Sequence, residues 1–146
     1  MPGIIVGVEG AGHSPAALDR AVREASDRHA PLTVITVHQP PVEYLGSAVD
    51  NAQDHDLAER SRQATEDAVG RTLARAGQSR PESVTVRAAA GTPADVLIDA
   101  AQDADLLVVG SRGAGRLAQL LMGSVSRQVS RQAGCPVIVV PAPGRG

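Results

Sequence analysis

Lysine is absent from this chain, and all fourteen basic residues are arginine. A Walker A loop sets a lysine on the phosphates, a protein kinase fold needs a strand lysine, and Schiff-base chemistry needs an amine. None of the three can operate here. Phenylalanine and tryptophan are also absent, and Tyr44 is the one aromatic residue. Stacking of bases on aromatic rings is therefore nearly excluded. Net charge is −2 with no basic block, so no nucleic-acid partner is expected. A single cysteine, Cys135, permits no internal disulfide, which suits a reducing compartment. No apolar run approaches membrane-spanning length and no charged leader opens the chain, so the reading is cytoplasmic, with no membrane partner. The four histidines, His13, His29, His38 and His55, share no ligand spacing, and no structural metal is expected.

What is present fits one domain over residues 1–146, with 141–146 as a loose tail. Ile4 to Val8 reads as a buried strand. Ser14 and Pro15 are placed to start a helix, along which Leu18, Ala21, Val22 and Ala25 form an apolar face. Leu32 to Val37 is a second strand. Residues 39–55 show no period and read as a long loop. Asp56 to about Ala76 reads as a polar helix with a thin stripe of Leu57, Ala64, Ala68 and Leu73, ended by Gly77. Val84 to Ala88 alternates, as an edge or half-covered strand does. Thr92 and Pro93 open a third helix, with Val96, Leu97, Ala100 and Ala101 facing inward. Leu106 to Val109 is a fourth strand, Val125, Val129 and Ala133 mark a fourth helix, and Pro136 to Val140 is a fifth strand. This alternation predicts an α/β fold, a parallel sheet with helices on both faces. Ligands in such folds sit outside the carboxyl ends of the strands, where the sheet order reverses.

Residues 110–124 carry the strongest chemical signal. Gly110, Gly113, Gly115 and Gly123 stand with Arg112, Arg116, Ser111 and Ser124, and with no acid. A helix starting at Ser124 directs unpaired N–H groups and its positive dipole end toward the glycine turn. Strand, glycine turn and helix start together suit a phosphate.

Gly110-x-x-Gly113, nine residues, then Gly123-Ser124 resembles the nucleotide motif of ATP-binding universal stress proteins. Four further blocks agree in order: Ile4 to Gly10, Gly91-Thr92-Pro93-Ala94, Ala104 to Gly113, and Cys135 to Val140. The resemblance spans nearly the whole chain. It implies a Rossmann-like, adenine nucleotide alpha hydrolase-like domain of five parallel strands in the order 3-2-1-4-5, usually dimeric. It implies that Val109, Gly110, Arg112, Gly113, Gly123, Ser124 and Val125 hold ribose and phosphates. Val37 corresponds to the backbone contact to adenine, and Gly7, Val8 and Glu9 to the contact turn after strand one. The family has Asp and Ser where this chain has Glu9 and Gly10. The added methylene of Glu9 is expected to weaken binding rather than abolish it.

The expected cofactor is ATP or AMP, with Mg²⁺ as a companion of the phosphates. The expected role is a stress-response or signalling module that meets an unidentified protein partner as a homodimer. Strand 136–140 is apolar throughout, yet the implied order puts it at an edge. An edge without charge or bulge invites pairing with a second copy. Two other readings stay open. One is slow ATP hydrolysis or self-phosphorylation, with Ser111, Ser124 or Ser126 as acceptor. The other is a nucleotide-free dimeric scaffold. Enzymatic activity is not required by anything in the sequence.

Overall fold

Five short apolar runs become the strands of one parallel sheet, ordered β3-β2-β1-β4-β5. The computed structural model describes residues 3–8, 16–38, 51–111 and 124–141, and the side chains of all of these except 51–55. In chain order the elements are β1 (Ile4–Val8), α1 (Ala16–Arg28), β2 (Pro31–His38), α2 (Asn51–Ala76), β3 (Ser83–Ala90), α3 (Pro93–Ala100), a 3₁₀ turn (Ala101–Asp103), β4 (Leu106–Gly110), α4 (Ser124–Gln132) and β5 (Val137–Val140). No helix among the described residues is long and apolar enough to cross a membrane.

Helices cover both faces of the sheet. On one face, Leu18, Ala21, Val22 and Ala25 of α1 and Val69 of α2 pack on Ile4, Val6, Leu32, Val34, Leu106 and Val108. On the other, Ala94 and Leu97 of α3, Ala101 just beyond it and Val129 of α4 pack on Ile35, Leu107 and Val109. Central strand β4 is buried at Leu106, Leu107, Val108 and Val109 because both its faces are covered. Each such aliphatic side chain contributes about 1.5–3 kcal/mol when fully buried. Edge strand β3 instead alternates, with Ser83, Thr85 and Arg87 exposed.

Three details differ from expectation. Helix α2 begins at Asn51, so 51–55 belongs to a helix and the loop is shorter than its lack of period suggested. Asn-Ala-Gln-Asp-His has no apolar residue larger than alanine, so no apolar period marks this turn in the sequence. The buried stripe of α2 also differs: Ala64 is exposed, while Thr65, Val69 and Thr72 are buried. Thr65 Oγ1 donates to the Ser61 carbonyl (2.8 Å) and Thr72 Oγ1 to the Ala68 carbonyl (2.9 Å). With the hydroxyls satisfied on their own helix, the threonine methyls can enter the core. Thr92 occupies the cap position of α3 and Pro93 its first turn, but the Thr92 hydroxyl makes no cap bond. Its carbonyl accepts Val96 N–H (3.0 Å), so backbone geometry and proline start this helix.

Helices α1 and α2 end in left-handed residues. His29 has φ 53°, Ala30 N–H reaches the Ala25 carbonyl (2.9 Å) and His29 N–H the Ser26 carbonyl (3.2 Å). That bond pair is a Schellman closure. Gly77 takes the left-handed position after α2 at φ 70°.

Candidate functional site

The sheet opens where its order reverses. β1 remains paired with β2 as far as Val8 opposite Thr36, and β4 with β5 as far as Gly110 opposite Val140. Between β1 and β4 the pairing stops at Val6 opposite Val108. The two strands therefore part at their carboxyl ends. Gly7 and Val8 form one lip of the opening, and Val109 and Gly110 the other. This is the switch-point crevice of a doubly wound sheet.

Helix α4 is anchored beside the β4 lip. Ser126, in its first turn and 1% exposed, donates from Oγ to the Ser111 carbonyl at 3.2 Å. Ser111 directly follows Gly110, so the start of α4 is held at the end of β4. Ser124 is exposed there and Val125 half-buried. The first N–H groups of a helix have no partner within it and carry its positive end. Anions are favoured there by about 0.3–1 kcal/mol at exposed positions.

Gly7 fills a second role. A Cβ built on it would lie 2.5 Å from Leu97 Cδ1 and 2.9 Å from Cδ2. Leu97 of α3 thus rests on the bare Cα of β1. That contact sets how closely α3 approaches the sheet beneath the crevice. Val8 is half-buried, Val109 is 3% exposed, and Gly110 is half-buried. Val37 is half-buried near the end of β2, opposite Ala89 and one residue beyond Thr36, the partner of Val8. Gly7, Val8, Val37, Val109, Gly110, Ser124 and Val125 therefore gather at the same end of the sheet. Glu9, Arg112, Gly113 and Gly123 lie outside the described residues, as do Gly10, His13, Ser14, Pro15, Tyr44, Gly115, Arg116 and the Leu117, Leu120, Leu121 pattern.

Two contributors escaped the sequence reading. Leu97 was assigned to the core, and nothing in a linear pattern reports that its partner is Gly7. Ser126 was weighed only as a phosphate acceptor. It is buried and hydrogen-bonded, so it is not accessible for transfer; Ser111 is half-buried and Ser124 exposed. The signal was available, since Ser126, Val129 and Ala133 fall at i, i+3, i+7 on one face. Among the described residues no group of three His, Cys, Asp or Glu side chains is placed to hold a metal ion.

The family model of the universal stress protein family matches residues 2–141. A universal stress protein of Mycobacterium tuberculosis H37Rv is 34% identical over 144 residues, covering 94% of this chain and 47% of the relative. The chain thus spans about half the length of that relative. A Thermus aquaticus universal stress protein is 31% identical over 139 residues, covering 94% of this chain and 96% of the relative. Among solved structures, the universal stress protein from Archaeoglobus fulgidus in complex with dAMP is 25% identical with a TM-score of 0.60, covering 96% of this chain and 98% of that one.

Proposed function

Because the chain belongs to the universal stress protein family, we propose that it binds an adenine nucleotide in the opening between β1 and β4. The observation that carries this reading is the parting of those strands beyond Val6 and Val108, with the start of α4 hydrogen-bonded to the end of β4. An apolar cleft with a helix N-terminus at its rim suits an aromatic base joined to a phosphate. The dAMP bound by the A. fulgidus relative supports the same class of ligand.

In this reading the backbone at Val37 meets the adenine edge. Gly7, Val8 and Glu9 contact the ribose side. Val109, Gly110, Arg112, Gly113, Gly123, Ser124 and Val125 hold ribose and phosphates. The ligand is AMP or ATP, and with ATP the phosphates carry Mg²⁺. Glu9, one methylene longer than the family's aspartate, loosens the grip. The chain acts as a single domain and as a cytoplasmic homodimer paired through strand 136–140. A stress-response partner then reads the nucleotide state. Self-phosphorylation is disfavoured at Ser126 by its burial.

Isothermal calorimetry with ATP, AMP and cyclic AMP, each with Mg²⁺, tests the reading. Binding of at least one is expected at micromolar to millimolar affinity. No heat with any of them at millimolar concentration overturns it. Gly113→Leu is expected to abolish the heat while leaving the circular dichroism unchanged; unaltered affinity removes the glycine turn from the site.

A further inference from the structure

Backbone and side-chain bonds around Ser111 form a continuous bracket. Its N–H donates to the Val140 carbonyl at 2.8 Å, at the end of edge strand β5. Its carbonyl accepts Ser126 Oγ at 3.2 Å, in the first turn of α4. Outside this bracket, and within α4 alone, the Ser126 carbonyl accepts Ser130 Oγ at 2.7 Å. One peptide residue therefore joins two places that have separate roles in the proposed function: the helix start at the phosphate end of the crevice, and the last residue of the strand assigned to dimer pairing.

Ser126 anchors one end of the bracket in the core. Ser126 is 1% exposed, and Val129, one turn on along the same face, is 0% exposed. Gly110 stays in register opposite Val140 up to the bracket itself. A hydrogen bond shielded from water is stronger than an exposed one, and one broken partner leaves a buried polar group unsatisfied. The two bonds link α4's first turn to Ser111, and Ser111 to Val140.

We propose that Ser126 is a positioning residue of the nucleotide site, and that the Ser111 bracket couples nucleotide binding at α4 to pairing of a second copy along β5. The inference rests on the nucleotide and β5-dimer readings above and extends them to regulation; a wild-type chain that stays monomeric with and without AMP overturns it. Its sign follows from ordering. A phosphate on the N–H groups of Ser124 and Val125 fixes α4's first turn. The fixed turn holds Ser111, and Ser111 holds Val140 in the extended geometry that strand pairing requires. The second event then meets a chain already ordered by the first, which is positive coupling. Coupling is reciprocal: the factor by which nucleotide tightens the dimer equals the factor by which dimerisation tightens nucleotide.

The test compares the wild-type chain with Ser126→Ala, Ser126→Thr and Ser130→Ala. Sedimentation equilibrium gives the dimer constant with and without saturating AMP, and calorimetry gives the affinity for AMP. Wild type is expected to dimerise roughly fivefold more tightly with AMP, at the low end of ordinary coupling. Ser126→Ala is expected to bind AMP several-fold more weakly and to bring the dimer ratio to one. Ser126→Thr keeps the hydroxyl and is expected to restore the ratio. Ser130→Ala cuts a bond inside α4 and is expected to leave it unchanged. In the wild type, hydrogen exchange at the Ser111 amide is expected to slow on adding AMP, a readout that needs no variant to fold. A wild-type dimer ratio of one, or a Ser126→Ala ratio equal to wild type, overturns this inference while AMP binding keeps the nucleotide reading. Absence of AMP binding by the wild type overturns both.

Discussion

Gly7 carries two demands at once, and they can be separated by experiment. Resemblance assigns it to the contact turn after β1, whereas the structure puts Leu97 against its bare Cα. Leu97 is 3% exposed, so a methyl on Gly7 must displace a packed side chain. Gly7→Ala is therefore expected to cost about 1–3 kcal/mol by overpacking, read as a lower urea midpoint. Leu97→Ala alone is expected to cost about 2–5 kcal/mol. The double variant should cost less than the sum by at least about 1 kcal/mol, since each change relieves the other. Additive losses would show that the two residues do not share this contact. Cys135 makes a second residue-scale case. Burial, and then the nearby negative charge of Asp105, push its thiol above the ordinary value. A raised thiol holds less thiolate at neutral pH and reacts slowly. Iodoacetamide alkylation across pH should show a midpoint above that of a free thiol, and Asp105→Asn should lower it. A midpoint at or below the free value would refute both causes. The side chain is half-buried, so the reagent can reach it and the rate follows loss of the thiol proton.

The legibility of the elements depended on how much of each one is apolar. β4 and α1 were readable because their buried positions, Ser26 apart, are Leu, Val and Ala in the expected spacing. α2 was misread at its start because residues 51–55 offer no apolar period, and along its stripe because its buried positions include Thr65 and Thr72, whose hydroxyls are satisfied within the helix. A residue-type count scores threonine as polar and cannot see that bond. Resemblance placed the glycines and serines of the candidate site in order along the chain, but the bond that brings α4 to β4 was not legible. That bond pairs a side chain with a carbonyl fifteen residues away. The two sheet edges differ in a way that bears on assembly. β3 exposes Ser83, Thr85 and Arg87, whereas β5 is Val-Ile-Val-Val and half-buried at every position. Pro136 and Val140 both turn their carbonyls to β4, accepting Leu107 N–H (3.0 Å) and Ser111 N–H (2.8 Å). Backbone groups alternate along a strand, so Val137 and Val139 direct theirs away from β4. Val139→Pro removes one outward donor and none from the β4 ladder, a position where an edge strand tolerates proline. The expected outcome is a folded chain whose dimer dissociates at least about tenfold more readily, since a tenfold change is only about 1.4 kcal/mol. An unchanged sedimentation profile would place the contact between copies elsewhere.

At the scale of the whole molecule, the strand order decides where function can sit, and periodicity cannot supply that order. Alternating strand and helix patterns predict a parallel sheet, but β1 could neighbour either β2 alone or β2 and β4 together. The order came from resemblance, and the observed sheet has β1 between β2 and β4. That placement puts one opening between strands separated by nearly a hundred residues of chain. A ligand there would touch both halves of the fold, β1-α1-β2 on one side and β4-α4-β5 on the other. It would therefore stabilise the folded chain as a unit rather than one loop. Nucleotide at a hundred times its dissociation constant should add about 2.7 kcal/mol to the unfolding free energy. For a chain of 146 residues, that corresponds to a rise in Tm of several degrees, in one transition. If copies pair through β5 as proposed, pairing also favours the folded state, and Tm should rise with protein concentration even without nucleotide. Differential scanning calorimetry at two protein concentrations, each with and without AMP, resolves the two contributions. If the bracket at Ser111 links them, the AMP-induced rise measured on the dimer exceeds that on the Val139→Pro monomer. Equal rises would mean that crevice and edge act independently, although one sheet carries both.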